Sequence, residues 1–427
     1  MVSFINRKVI KRHIFALLVI SLWIFSLLCI KAANAYELPP YEGLSLKIEG
    51  NVSENYSNNI TYAAEDDQRI EALITNLSLG MGLKYEETKR SVELRGNLIR
   101  QIRTETGDIE NSYERGIINF RNEFSKYDLI NIFNTFTHTQ VPGTLDEGLS
   151  AAECQRLEDL FGRDVVRRTY PECDRFEEEF GRLTGRFDSY KNTAILNYYR
   201  DFGERFRTST GYTYRRNWSN EKGTNDSDQN SFRVGVNYGY SAATIFSLYY
   251  TYSNSRYENG SDVAIQRISA GIRRYLTERF FIDGRAGMDF TSSENNSQSN
   301  SLIEISIAGE ADKKTIMRAA YLKQDEFASD TEDIFRNWRA TGSITRDLTE
   351  DLSIDLSGFY GKGEFVSIAV TDTLLGASIN VNYIFWEDKY GKRVIGRLGY
   401  TYSDLQSTDD TREYSRSGVN MGLTVGF

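Results

Sequence analysis

From residue 43 to its end the chain keeps a two-residue rhythm, and that rhythm limits what it can fold into more than any other feature. Leu73, Leu77, Leu79, Met81, Leu83 and Tyr85 share one parity, while Asn76, Ser78, Gly80, Gly82 and Lys84 hold the other. The alternation returns in Phe232, Val234, Val236, Tyr238 and Tyr240, and again in Phe280, Ile282, Gly284, Ala286, Met288 and Phe290. Successive side chains of a strand point to opposite faces, so these stretches are strands with one apolar and one polar face.

A soluble sandwich alternates in the same way, so the connections must discriminate. About eighteen alternating stretches can be counted, joined alternately by short and by long polar segments. The short ones fall near residues 86–89, 125–128, 201–204, 241–244, 276–279, 311–314, 346–351 and 386–392. The long ones fall near 53–70, 104–112, 140–188, 217–230, 254–262, 291–301, 325–334, 362–371 and 404–413. Tight turns at one end and long loops at the other are the plan of a barrel that crosses a membrane with strands. In hydrocarbon every unpaired backbone amide costs several kcal/mol, so only a closed sheet is stable there, and an even strand count leaves both ends of the sheet on one side.

The first residues read as an export signal. Arg7, Lys8, Lys11 and Arg12 precede an apolar run from Ile14 to Ile30, and Ala33-Asn34-Ala35 offers a small-x-small cleavage site. Residues 1–35 are therefore expected to be a signal peptide and 36–427 the mature barrel. The length of the run and Lys31 at its end leave an uncleaved anchor open. Leu28 before Cys29 speaks against lipoprotein processing. No later segment is apolar enough for a membrane helix.

Composition narrows the partners. The whole chain has a formal charge of −9, and loss of five basic residues with the first 35 takes it from −9 to −14, which disfavours nucleic acid. The 27 Tyr and 24 Phe are enough to furnish aromatic girdles at both membrane interfaces. Trp218 and Trp338 lie beside long connections and Trp386 beside a short one, as two girdles would require.

An internal repeat supports duplication of hairpins. RDFGERF begins at Arg200, RYLTERF at Arg274 and RDLTEDL at Arg346, each at a short turn. The C-terminal strand carries Asn420, Gly422, Val425 and Phe427, which match the polar-x-Gly-x-x-apolar-x-aromatic ending that resembles the assembly signal of outer-membrane barrels.

The polar parity assigns the bore. It places Arg95, Arg121, Arg205, Arg207, Arg215, Arg233, Arg273, Arg285, Arg339, Arg397 and Arg416 toward the lumen, with the acids Glu93, Glu123, Asp283, Asp289 and Asp355. Fixed positive charge favours anions, or forms a guanidinium track for acidic sugars. The same arginines could instead pair with wall carboxylates and serve rigidity; both readings stand at this point.

The connection 140–188 is a long insertion whose stretches SAAECQRLEDLFG and DRFEEEFGRL have helical apolar spacing. Cys154 and Cys173, the two cysteines of the mature part, read as a disulfide in an exported protein. An inward constriction and a cap on either side of the membrane remain open for this loop. The expected fold is thus all-β: a transmembrane antiparallel β-barrel of about 18 strands (about 16–18), with one long, partly helical loop.

Catalytic chemistry is not expected. His138 is the only histidine after the signal segment and stands at a strand end, where a polar rim residue is the simpler reading. Asp226, Asp228 and Asn230 have a calcium-loop spacing, but Ser231 stands where glycine is wanted and Asn237 where the closing glutamate belongs. No phosphate-binding loop, CxxC or haem motif is present, so neither metal nor cofactor is expected.

The segments EGLSLKIEGNVSENYSNNITY from Glu42, YYTYSNSRYENGSD from Tyr249 and RYLTERFFIDGRAG from Arg274 resemble the β-barrel porins of exopolysaccharide and exosortase (PEP-CTERM) systems over most of the mature chain. The cysteine-bearing insertion departs from that pattern. The resemblance implies an outer-membrane barrel associated with surface polysaccharide production, and brings no catalytic residue. The expectation is a passive pore in a Gram-negative outer membrane; a scaffold barrel around an export or electron-transfer partner is the alternative. Expected partners are outer-membrane lipid and lipopolysaccharide, the barrel assembly machinery and polysaccharide-export proteins.

Overall fold

The computed structural model describes residues 43–59, 71–103, 109–139, 180, 189–219, 226–258, 260, 262–293, 296–327, 333–388 and 392–426. The signal segment, Cys154, Cys173 and Phe427 lie outside them, as does the 140–188 insertion except for Phe180. The expected helical stretches of that insertion and the expected Cys154–Cys173 disulfide lie outside the described residues.

Eighteen strands form one sheet. They are β1 (Leu44–Ser57), β2 (Ala72–Glu86), β3 (Arg90–Arg103), β4 (Ile109–Glu123), β5 (Asp128–Thr139) and β6 (Ser189–Phe202). Then follow β7 (Phe206–Trp218), β8 (Ser227–Ser241), β9 (Thr244–Tyr257), β10 (Val263–Tyr275), β11 (Phe280–Ser293) and β12 (Asn296–Asp312). The last six are β13 (Thr315–Phe327), β14 (Ile334–Asp347), β15 (Leu352–Phe365), β16 (Val370–Glu387), β17 (Arg393–Ser407) and β18 (Tyr414–Gly426). Each strand pairs antiparallel with its sequence neighbour, and β1 pairs with β18 from Glu49↔Gly426 to Ser57↔Gly418. That last ladder removes both sheet edges, so the sheet is a closed barrel.

The exterior is apolar. Leu79 is 54% exposed and Met81 60%, and Leu196, Leu248, Ile305, Leu356 and Leu398 are exposed on the outward face of their own strands elsewhere around the ring. A water-soluble protein does not present so continuous an apolar belt; lipid is the solvent that this surface fits. Aromatic residues mark both ends of the belt. Phe124, Phe202, Phe206, Tyr240, Phe385 and Trp386 are exposed near short turns, while Trp218 stacks on Tyr190 (5.5 Å) and Trp338 packs on Tyr360 (5.5 Å) toward the other end.

The repeated turn sequence has a structural counterpart. In its second and third copies the amides of Leu276 and Leu348 donate to the carbonyls of Phe280 and Leu352, both at 2.8 Å. Thr277 Oγ1 and Thr349 Oγ1 accept from the amides of Arg279 and Asp351, both at 3.3 Å. The first copy turns more tightly at residues 203–205, where Gly203 has φ +71°.

Two expected long connections are short. β11 ends at Ser293 and β12 starts at Asn296, so most of 291–301 is strand; only residues 366–369 separate β15 from β16, where 362–371 was expected. Beyond the bilayer both faces of a strand meet water, so polarity there no longer separates ladder from loop. The turn at 366–369 closes through Ala369, whose amide donates to the Phe365 carbonyl (2.9 Å) and whose φ is +54°. Because this left-handed conformation costs an alanine about 1 kcal/mol relative to glycine, Ala369→Gly is expected to raise the urea midpoint of the refolded barrel. In the connection after β17, Asp409 accepts from the Thr411 hydroxyl (2.7 Å) and amide (3.1 Å), which hold its carboxyl below the usual carboxylate range.

Candidate functional site: the bore

Strand parity fixes what faces inward. Arg95 lies across from Gly82 and Ile117, Arg233 across from Gly211 and Thr251, and Arg339 across from Leu322 and Gly361, all opposite in parity to the exposed apolar belt. The same register puts Arg121, Arg207, Arg215, Arg273, Arg285, Arg397 and Arg416 on the inner face, together with Glu93, Glu123, Asp283, Asp289 and Asp355. Arg205 departs from this set. It sits exposed in the 203–205 turn, where chain reversal at Gly203 ends the alternation on which its assignment rested.

Wall carboxylates engage most of these arginines. Arg95 pairs with Glu93 (2.5 Å), Arg121 with Glu123 (2.8 Å), Arg273 with Asp283 (2.8 Å) and Arg285 with Glu304 (3.3 Å). Arg207 forms a two-pronged pair with Asp201 (2.6 and 2.9 Å), and Arg339 with Glu326 (2.9 and 3.1 Å). Arg397 donates to Asn382 Oδ1 (2.8 Å), whose amide nitrogen donates to Asp355 (2.6 Å), and Arg416 donates to Ser57 (3.2 Å). The wall is a lattice of compensated charges more than a free cationic surface.

One region brings three guanidiniums together. A recess of about 60 Å³ on the inner wall of β6–β11 is lined by Arg233, Arg267 and Arg285, by hydroxyls including Thr213, Ser231 and Ser269, and by no carboxylate. In its lining Tyr249 lies across Gly235, where a Cβ would collide with the ring. The guanidinium of Arg233 stands 4.2 Å from the Tyr249 ring centre and that of Arg285 5.0 Å. Behind the lining, the fully buried Asp289 takes a two-pronged pair from Arg267 (2.7 and 2.9 Å). Arg267 and Tyr249 were not singled out in the sequence, although each has the inward parity of its strand.

Two features narrow the bore. Beyond Ile303↔Lys323 the pairing of β13 with β12 ends, and the tip of the β13–β14 hairpin turns inward. There the Asp325 amide donates to Asp289 Oδ2 of β11 (3.0 Å), Asn300 of β12 donates to the Asp325 carboxylate (2.8 Å), and Ile334 packs with Tyr257 and Val263 of the inner wall. The second feature is Phe180. Its ring, 7% exposed, packs edge-on against Phe335 (4.9 Å) and Phe359 (5.3 Å), both of inward parity. Phe180 belongs to the connection between β5 and β6, and the wall it touches is β14–β15, halfway around the ring.

Other singled-out residues lie away from the bore. His138 stacks on Tyr190 (4.3 Å) on the outer face and places Nδ1 2.5 Å from Glu114, which also accepts from Arg100 (2.8 Å). Asp228 and Asn230 accept from the hydroxyls of Tyr214 and Tyr212, both at 2.6 Å. Among the described residues no three His, Cys, Asp or Glu side chains gather as a metal site. Asn420 and Gly422 face inward on β18, and Val425 is buried beside the closing ladder.

No family model matches the chain, and no curated protein does. Among solved structures it is similar to Pseudomonas aeruginosa OccK2 (OpdF) in complex with glucuronate, at 9% identity and a TM-score of 0.48, over 90% of this chain and 99% of that one. It is similar also to Acinetobacter baumannii OccAB4 (9% identity, TM-score 0.47, 91% and 100% covered). A third is the Pseudomonas aeruginosa outer membrane protein opdK (9% identity, TM-score 0.45, 90% and 99% covered). The architecture assigned to this chain rests on its own strand pairing.

Proposed function

We propose that the protein is a passive pore of the Gram-negative outer membrane, admitting small hydrophilic solutes with a preference for anions. The observation that carries this reading is the arginine-lined recess beside Tyr249 within a closed barrel whose exterior is apolar. Three guanidiniums at one place on the wall lower the local energy of an anion, and the surrounding hydroxyls can accept and donate to a hydroxylated solute. An acidic sugar satisfies both groups, which accords with the resemblance to barrels of exopolysaccharide systems. Arg267 and Arg285 are themselves held by Asp289 and Glu304, as other wall arginines are held by their carboxylates, so the anion preference is expected to be weak.

Planar-bilayer recordings under a salt gradient test the reading. Wild-type channels are expected to show a reversal potential of the sign given by anion preference, and Arg233→Gln with Arg285→Gln should move it toward zero at little change in conductance. Cation selectivity in the wild type would remove the anion assignment. Correctly folded protein that conducts nothing would favour the scaffold alternative.

A further inference from the structure

The outer face of β13–β16 changes character in successive cross-strand rows. Met317, Ile344, Leu356 and Ile379 form an ordinary apolar row. The next contains only Ala319, Gly342, Gly358 and Ala377, and above it Ala340 lies between Tyr321 and Tyr360. Small residues bounded by two tyrosines leave a shallow depression in a wall that elsewhere carries leucine and isoleucine.

At the upper edge of this depression Trp338 has Lys323 directly across on one side and Lys362 on the other. Trp338 rests on Tyr321 (6.2 Å) and Tyr360 (5.5 Å), at the level where the apolar belt gives way to charge. Tryptophan and tyrosine favour that level because each joins an apolar ring to a polar atom. Lys323 Nζ donates to Ser301 (2.8 Å), and the Lys362 ammonium has no hydrogen-bond or ion-pair partner among the described residues. The lysine backbones stand two strand spacings apart, roughly 10 Å, so their long stems can converge on one anion above the indole. Elsewhere on the outer face Arg100 is neutralised by Glu114. The next acid along β15, Glu364, lies outside the row, and Arg336, across from it in register, donates instead to Asp325 (3.2 Å) and Gln298 (2.9 Å).

We propose that the Lys323–Trp338–Lys362 row binds the phosphate headgroup of an outer-leaflet glycolipid, with an acyl chain lying in the small-residue depression below it. Two ammonium donors match a phosphate in charge and hydrogen-bonding capacity, and the depression offers an acyl chain contact along its length.

Native mass spectrometry of the delipidated, refolded full-length chain tests this with two probes, lipid A and dephosphorylated lipid A. Wild type is expected to retain the phosphorylated probe on the order of tenfold better, as two surface cations near a phosphate imply. Lys323→Gln with Lys362→Gln should abolish that difference, while Lys313→Gln with Lys314→Gln, in the turn at the opposite end, should preserve it. Gly342→Leu, which fills the depression without touching charge, should lower retention of both probes. Equal retention of the two probes by wild type, or undiminished discrimination by the Lys323/Lys362 variant, overturns the proposal; the wild-type comparison decides even if a variant fails to fold.

Discussion

Replacing Phe180 with alanine is expected to raise the unitary conductance of the pore, on the order of twofold, and to increase its open-channel fluctuations. The ring is held by an edge-on pocket of Phe335 and Phe359. Truncating a buried phenylalanine costs about 3–5 kcal/mol in a core, enough to detach a contact of this size. Gly361→Ala offers an independent route, because a Cβ there would meet the Phe180 ring at 3.0 Å and the neighbouring Phe359 ring at the same distance. Both variants should shift conductance in one direction while leaving barrel content by circular dichroism unchanged. Unaltered conductance in both would show that Phe180 does not limit the bore.

Asp289→Ala is expected to lower barrel stability by about 2–4 kcal/mol, read as the urea midpoint of unfolding from lipid vesicles. Its carboxylate is fully buried and receives both prongs of Arg267, so the truncation removes two charge-assisted hydrogen bonds from a mostly buried guanidinium. The Asp325 amide loses its acceptor as well, which should loosen the inward β13–β14 tip and add current noise. Asp283→Ala is the comparison. Its partner Arg273 is 39% exposed, so water can replace the lost contact and the cost should be about 1 kcal/mol or less. Equal costs at the two positions would mean that burial does not set the strength of the wall pairs.

The inner face could be read from parity because a strand alternates whatever its neighbours do. Ten of the eleven arginines singled out by alternation have inward register; Arg205 does not, because a turn has no parity. Which of them pair with a carboxylate could not be read in this way. Arg285 meets Glu304 across a ladder whose register only the assembled sheet defines, and Arg267 meets Asp289 in the same manner. Strand ends were legible only inside the apolar belt, so the extents of the connections near 291–301 and 362–371 were overestimated.

The sequence by itself determined a sheet with one face for lipid and one for water, its approximate strand number and the end at which its turns are tight. Those properties follow from local alternation and from the cost of an unpaired amide in hydrocarbon. Tertiary structure alone decided the contents of the bore: the recess around Tyr249, the inward hairpin tip and the seat of Phe180 halfway around the ring. Each joins residues far apart in the chain, and distance across a closed barrel is set by ring closure and register, which no local pattern encodes.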